Sequence, residues 1–211
     1  MPENTPSHLR ESVDKALDDL AGQGNLGSLQ VRTLDNWADV GTFLGNGDGD
    51  DNKPKIVQIF TPGQAAIRPP LGQVKATLLV SATDVVDGTA LVDMLDNQEC
   101  VFVTSCHAND MIVDLDREQV GKIKQLIVCD GRVSDDEAAQ VAVAFYGALL
   151  YKKLTIASAA RVAAEFLDQL IANSERRVKL RYYQNGVEKP IDKIVFEKTI
   201  DKIDFEKELS K

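Results

Sequence analysis

Histidine and cysteine are scarce in this sequence of 211 residues, and their scarcity limits the chemistry that it can support. There are two histidines, His8 and His107, and three cysteines, Cys100, Cys106 and Cys129. No two cysteines form a Cys-x-x-Cys pair, so the common structural zinc sites are excluded and no metal site is expected. An odd number of cysteines without disulfide-framework spacing is typical of a reducing compartment, which predicts a cytoplasmic location.

Positive charge and long apolar runs are also lacking. Lys and Arg number 24 against 33 Asp and Glu, and the net charge is −9. Because nucleic-acid binding needs a concentrated basic surface, we expect no nucleic-acid partner. No apolar run approaches the roughly 18 residues of a membrane span, so no membrane partner is expected. The length and the 44% hydrophobic content predict a single domain over residues 1–211, with flexible ends at 1–6 and about 206–211.

The apolar residues that are present predict an α/β fold with a mostly parallel sheet. Continuous apolar runs, rather than alternating ones, are typical of strands that helices cover on both faces. Three such runs are predicted as buried strands at 55–60, 76–81 and 100–105, and further strands are predicted at 29–33 and 125–129. Apolar residues at helical spacing predict helices at 7–22, 36–44, 87–96, 135–151 and 156–173.

Local signals mark the boundaries between these elements. Ser134 followed by Glu137 is a capping box, which predicts that a helix begins at residue 135. The segment 61–75 is rich in glycine and proline, which predicts a loop or an irregular hairpin. The acidic loop 45–52 lacks the ligand pattern of an EF-hand, and it precedes a strand rather than following one. Since no glycine-rich phosphate loop is present, no cofactor is expected.

The C-terminal region changes to alternating polar and apolar residues. Asn185-Gly186 is a strong turn signal within this pattern, and it predicts an antiparallel hairpin at a sheet edge. Tyr182 and Tyr183 are predicted to lie in a strand, one facing in and one facing out. The motif IDKIVFEK is echoed farther on as IDKIDFEK, but this echo is too short to define a repeat architecture.

The strongest candidates for catalytic residues lie at the end of the predicted strand 100–105. The run VFVTSCHAND places Ser105, Cys106 and His107 at the end of this strand. Ligands and reacting groups gather at the carboxyl ends of strands in open α/β sheets, so Cys106 is a candidate nucleophile. The alternative is that Cys106 is a small packing residue that closes the strand, since free cysteine packs well.

The order of these segments resembles the CHAT family of caspase-like cysteine peptidase domains. In that family a strand ends in the nucleophilic cysteine, and a later helix opens with a segment like SDEAA…F…FY.AL. Residues 134–149 here, SDDEAAQVAVAFYGAL, are similar to that segment, and the likeness covers roughly residues 7–185. The resemblance implies a caspase-like three-layer sandwich with a mostly parallel central sheet, helices on both faces and a C-terminal antiparallel hairpin. It also implies that Cys106 occupies the nucleophile position.

The sequence departs from the family at the general base. The family carries a histidine in a Gly-His-Gly-like turn after the strand that corresponds to 55–60. Here the turn reads Thr61-Pro62-Gly63-Gln64, hereafter the 61–64 turn, and it contains no histidine. A cysteine peptidase needs a base to activate the thiol, and none of these four residues can serve as one. His107 is next to Cys106, but adjacent residues that leave a strand tend to point apart.

Three hypotheses for the function follow. The first is a catalytically inactive pseudo-peptidase that binds another protein chain or a peptide, either in the old cleft or by strand addition at the sheet edge. The resemblance places such a subunit in a bacterial defence or signalling complex. The second is an active cysteine endopeptidase that uses Cys106 with His107 or with a partner's base. The third is an unrelated doubly wound domain that binds a ligand. The predicted cleft consists of the 61–64 turn, Ser105 and Asp130.

Overall fold

The described part of the chain forms two sheets and a set of helices. The computed structural model describes residues 37–45, 56–61, 63–64, 75–80, 84–172 and 177–197. The predicted helix at 7–22 and the predicted strand at 29–33 lie outside these ranges, as does most of the acidic loop. Among the described helices, none has the length and apolar character needed to cross a bilayer.

The described residues form eight strands and six helices. The strands are β1 (Ile56–Ile59), β2 (Gly63–Gln64), β3 (Thr77–Leu79), β4 (Val85–Asp87), β5 (Cys100–Val103), β6 (Gln125–Asp130), β7 (Lys179–Gln184) and β8 (Val187–Lys189). The helices are α1 (Trp37–Gly45), α2 (Gly88–Met94), α3 (Ala108–Ile112), α4 (Arg117–Gly121), α5 (Asp135–Leu150) and α6 (Ile156–Ile171). A single 3-10 turn, Ile191–Lys193, follows β8.

The main sheet has five strands in the order β1-β5-β6-β7-β8. β1, β5 and β6 are parallel, whereas β7 and β8 form an antiparallel hairpin at one edge. Asn185 and Gly186 both have positive φ at the turn of this hairpin, as its tight geometry requires. The predicted hairpin and the predicted α/β class are therefore confirmed.

Helices cover both faces of the main sheet, which makes three layers. Side chains alternate along β5, so Phe102 faces α5 and α6, while Val101 and Val103 face the core formed with α2, α3 and α4. Tyr182 and Tyr183 divide between the two cores in the same way. Both tyrosines are buried, so the prediction that one of them faces out is wrong. The reason is that both faces of the sheet are covered at these two residues, by the helices of the two cores.

The prediction that 76–81 belongs to the parallel sheet is wrong. β3 lies in a separate three-stranded sheet, where it pairs antiparallel with β2 and β4. Leu78 is fully buried because its side chain packs into the core shared with α2 and α3. A short apolar run predicts that a strand is buried, but it does not predict which sheet the strand joins. The pairing of β2 with β3 agrees with the irregular hairpin predicted over 61–75.

Helix starts follow their capping signals closely. The Ser134 hydroxyl accepts from the Glu137 N–H, and the Glu137 carboxylate accepts from the Ser134 N–H at 2.8 Å. This reciprocal pair starts α5 at the predicted residue. The Asp87 carboxylate accepts from the Ala90 N–H and caps α2, within the helix predicted at 87–96. A strand, β4, precedes this helix, and the sequence did not reveal it. Helices α3 and α4 were also not predicted, because five residues are too few to show helical periodicity.

Candidate functional site

Cys106 lies at the carboxyl edge of the parallel strands, three residues after β5 ends. The ladder between β1 and β5 continues one step beyond Val103, since the Thr104 N–H donates to the Ile59 carbonyl at 3.0 Å. Because β1, β5 and β6 are parallel, the segments that follow them all begin at this edge. The sequence-based placement of Cys106 at a strand end therefore agrees with the structure.

The 61–64 turn contacts the segment that carries Cys106. At Gly63 the backbone lies so close that a Cβ atom there would overlap the Cys106 carbonyl oxygen and stand 2.5 Å from the Ser105 hydroxyl. Only glycine fits such an approach without displacing backbone. The 61–64 turn is thus adjacent to the cysteine.

Of the other residues of the turn, Thr61 is the one whose side chain is described. The Thr61 hydroxyl donates to the carbonyl of Leu79 and so ties the turn to β3. Pro62 and the side chain of Gln64 lie outside the described residues. Within the described part of the turn, the structure therefore brings Gly63 into contact with Ser105 and Cys106.

The thiol of Cys106 has a hydrogen-bond partner on the segment before α5. Its Sγ atom lies 3.2 Å from the carbonyl oxygen of Val133, to which the S–H donates. A carbonyl oxygen can only accept, so this contact requires the protonated thiol. Cys106 also packs against the core between the main sheet and helices α5 and α6. Sequence reasoning missed Val133, although it directly precedes the capping box that was recognised.

The His107 side chain pairs with Asp110 instead of Cys106. Its Nδ1 atom lies 3.6 Å from an Asp110 carboxylate oxygen, one turn along α3. The His107 backbone is left-handed, with φ 57°, and its N–H donates to the Gly131 carbonyl at 2.8 Å. Within the described residues, no hydrogen bond joins the His107 ring to the Cys106 thiol. His8 lies outside the described residues.

Ser105 and Asp130 complete the set predicted from the sequence. Ser105 is buried, and its hydroxyl has no hydrogen-bond partner within the part of the chain that the structure describes. Asp130 ends β6, but its carboxylate accepts from the Nε and Nη2 atoms of Arg181 on β7, at 2.9 and 2.7 Å. Arg181 also donates to Glu188 on β8, so these side chains form a network across β6, β7 and β8.

The three cysteines differ in their environment. Burial raises the pKa of the Cys100 thiol and of the Cys129 thiol to about 12. Both side chains lie in the core, and a thiol that stays protonated is a poor nucleophile. Cys106 is the one cysteine of the three that is partly exposed. Any thiol chemistry of the folded protein is therefore expected at Cys106.

A shallow depression lies elsewhere, between α2, α3 and α4. Its volume is about 130 Å³, and its lining includes Lys75, Asp87 and Asp110 but not Cys106. Pockets for small organic ligands usually measure roughly 300–1,000 Å³. Within the described ranges, no three His, Cys, Asp or Glu side chains are grouped so that they could hold a metal ion.

Comparison with known proteins does not assign the chain to a family. No family model and no curated protein matches the chain. The resemblance to the CHAT family therefore stays a prediction, and the function has to be inferred from the site.

Proposed function

We propose that this chain is a catalytically inactive, caspase-like CHAT domain that binds another protein chain or a peptide. The observation that carries the proposal is the contact of Gly63 with Ser105 and Cys106. By the resemblance, the turn in contact with the cysteine corresponds to the one where the family has its general base. The side chains of that turn have no group that titrates near neutral pH, so the proposed nucleophile has no base there.

The contacts of Cys106 and His107 support the proposal that the site is catalytically inactive. A general base has to approach the thiol to about 2.6–3.2 Å, directly or through one water. The Cys106 thiol donates to the Val133 carbonyl, and the nearest histidine in sequence pairs with Asp110. A carbonyl oxygen cannot take the proton of the thiol or return it to a leaving amine. The described geometry therefore lacks the nucleophile–base pair of a cysteine peptidase.

The binding role is supported by the edge formed by β1. Among the described residues, β1 pairs with β5 on one side and with no strand on the other. The Ile59 carbonyl faces β5, where it accepts from Thr104. Since backbone groups of successive strand residues point to opposite sides, the N–H of Gln58 faces the outer edge. An extended peptide that adds to this edge would bond to that N–H and would end beside the 61–64 turn.

Labelling with iodoacetamide tests the loss of catalysis. We expect the native chain to be labelled at Cys106, with a rate that changes by less than about twofold in the His107→Ala variant, because no hydrogen bond links the two side chains. The Cys106→Ala variant serves as the control for site assignment. A large fall in the labelling rate on loss of His107, or peptide cleavage that requires Cys106, would contradict the proposal.

Substitutions at Gln58 test the binding role. The Gln58→Pro variant removes the outward N–H, and proline is tolerated on edge strands. The matched Gln58→Ala variant removes the same side chain but keeps the N–H. A partner that co-purifies with the natural chain from its host should be lost with Gln58→Pro and kept with Gln58→Ala. Retention by both variants would exclude strand addition at β1.

A further inference from the structure

The last described segment, residues 191–197, lies across the beginning of α6 and is held there by specific contacts. Ile191 and Ile194 pack against the core formed by α5, α6 and the main sheet. We call the surface that receives this segment the α6 groove, and it is formed by Thr155, Ser158 and Arg161. Residues 191–197 therefore occupy this surface in the described structure.

The N-terminal residues of α6 bind the backbone of the segment. The Thr155 N–H donates to the Glu197 carbonyl at 2.9 Å, and the Glu197 N–H donates to the Ser158 hydroxyl at 2.8 Å. The Ser158 hydroxyl in turn donates to the Val195 carbonyl at 3.1 Å. Ser158 is fully buried, so these bonds are shielded from water.

Arg161 makes two further contacts with the segment. Its Nη1 atom donates to the Ile194 carbonyl at 2.6 Å, and its guanidinium lies 4.3 Å from the centre of the Phe196 ring. The second distance is that of a cation–π contact. Glu165, one turn farther along α6, accepts from Arg161 Nε at 2.8 Å and orients the guanidinium. Arg161 thus contacts the backbone of Ile194 and the ring of Phe196, while the Ile194 side chain packs against the core.

The chain contains a second copy of the bound sequence. Residues 191–198 read IDKIVFEK and residues 200–207 read IDKIDFEK, so the two copies differ only where Val195 is replaced by Asp204. Val195 is 71% exposed while the segment is bound, so the one difference falls on a side chain that faces solvent. Each side chain that contacts the groove or the core has an identical counterpart in the second copy.

We propose that the α6 groove binds the peptide sequence Ile-Asp-Lys-Ile-x-Phe-Glu, and that residues 200–206 of the same chain bind there in exchange with residues 191–197. The second copy has the same residues at every position whose side chain makes these contacts in the first copy. This inference is independent of the proposed pseudo-peptidase function. Its consequence is that Ile194 and Phe196 can be released to another protein while the groove stays filled.

The connection to the sheet permits this exchange. β8 ends at Lys189, and binding of the second copy lengthens the linker to the groove by nine residues. Closing a flexible loop of about ten residues instead of one lowers the population of the second copy in the groove by roughly thirtyfold relative to the first copy. The first copy is therefore the main occupant and the second copy a minor one, which becomes the main occupant when the first is damaged.

Hydrogen exchange at the Thr155 amide tests the proposal, because this N–H is bonded to whichever copy is bound. In the full chain, Ile203→Asp alone should leave the exchange rate unchanged within error. Ile194→Asp should raise the rate by no more than about thirtyfold, since the second copy still binds. The double variant should raise the rate several-fold above Ile194→Asp. An identical rate in the double variant and in Ile194→Asp would overturn the proposal.

Three controls keep the result interpretable. Val195→Asp makes the first copy identical to the second, and we expect no change because this side chain faces solvent. Phe196→Ala with Phe205→Ala repeats the test with milder substitutions if Ile194→Asp impairs folding. Rates that depend on protein concentration would mean that the second copy binds a neighbouring molecule, which would overturn exchange within one chain.

Discussion

Gly63 contacts the backbone of Cys106 with no room for a side chain between them. This contact joins the turn after β1 to the end of β5, in addition to the strand pairing itself. It places a turn without a titratable side chain beside the candidate nucleophile. The same contact also makes the site sensitive to substitution, which allows the geometry to be tested in solution.

Substitution of Gly63 by alanine should destabilise the fold. The new Cβ would collide with the Cys106 carbonyl and the Ser105 hydroxyl, and overpacking of this kind costs about 2 kcal/mol. Urea denaturation would measure the free energy of unfolding. Gly147→Ala on α5 is the control, since no atom lies within 4 Å of its added Cβ and alanine favours helix by roughly 0.5–1 kcal/mol. Equal stability of the two variants would contradict the contact.

The capping box of α5 should contribute measurably to stability. Ser134→Ala removes the acceptor for the Glu137 N–H, and the loss of an N-cap side chain costs about 1 kcal/mol. Ser134→Thr keeps a hydroxyl at the cap and should retain most of the stability. Thermal unfolding of the three proteins checks the order. A threonine variant as unstable as the alanine variant would show that the hydroxyl contact is unimportant.

Removal of the Tyr183 hydroxyl should cost more than removal of the Tyr182 hydroxyl. Tyr183 donates to Asn109 at 2.7 Å, and both side chains are buried, so Tyr183→Phe leaves an unsatisfied acceptor at a cost of about 1–3 kcal/mol. Tyr182 donates to Gln125, which is partly exposed and can bond to water instead. Chemical denaturation of the two phenylalanine variants tests the ranking, and the reverse order would refute it.

Alkaline pH should weaken the fold through its buried thiols. Burial raises the pKa of Cys100 and of Cys129 from 9.0 to about 12, so the unfolded chain releases these protons first. Their contribution is complete below pH 9 and is lost as the pH rises towards 12. The loss approaches about 1.4 kcal/mol per pH unit for each thiol.

Urea midpoints at pH 8, 9 and 10 would measure this dependence. The double variant Cys100→Ala with Cys129→Ala should show a flatter decline between pH 9 and 10 than the natural chain. A further midpoint at pH 7 serves as the internal control, because the two proteins should change almost equally between pH 7 and pH 8, below the pKa of 9.0 of the unfolded thiols. A parallel decline of both proteins up to pH 10 would show that these thiols are not protected by the fold.

Much of the fold could be predicted from local signals, and the site only in part. The Ser134 capping box and the Asn185-Gly186 turn act through hydrogen bonds and dihedral angles within a few residues, so the sequence reveals them. The strand that ends before Cys106 was visible as an apolar run. Val133 was not recognised, because its contact with the thiol spans 27 residues and depends on how β6 joins the sheet beside β5.

The sequence by itself determined that the chain is an α/β protein, where helices α5 and α6 and the C-terminal hairpin lie, and that the 61–64 turn contains no histidine. These properties depend on composition and on interactions between near neighbours. Only the tertiary structure decided that β3 belongs to a second sheet, that Tyr182 and Tyr183 are both buried, and that His107 pairs with Asp110. Strand pairing, burial and side-chain partners depend on segments that are distant in sequence, so no local pattern encodes them.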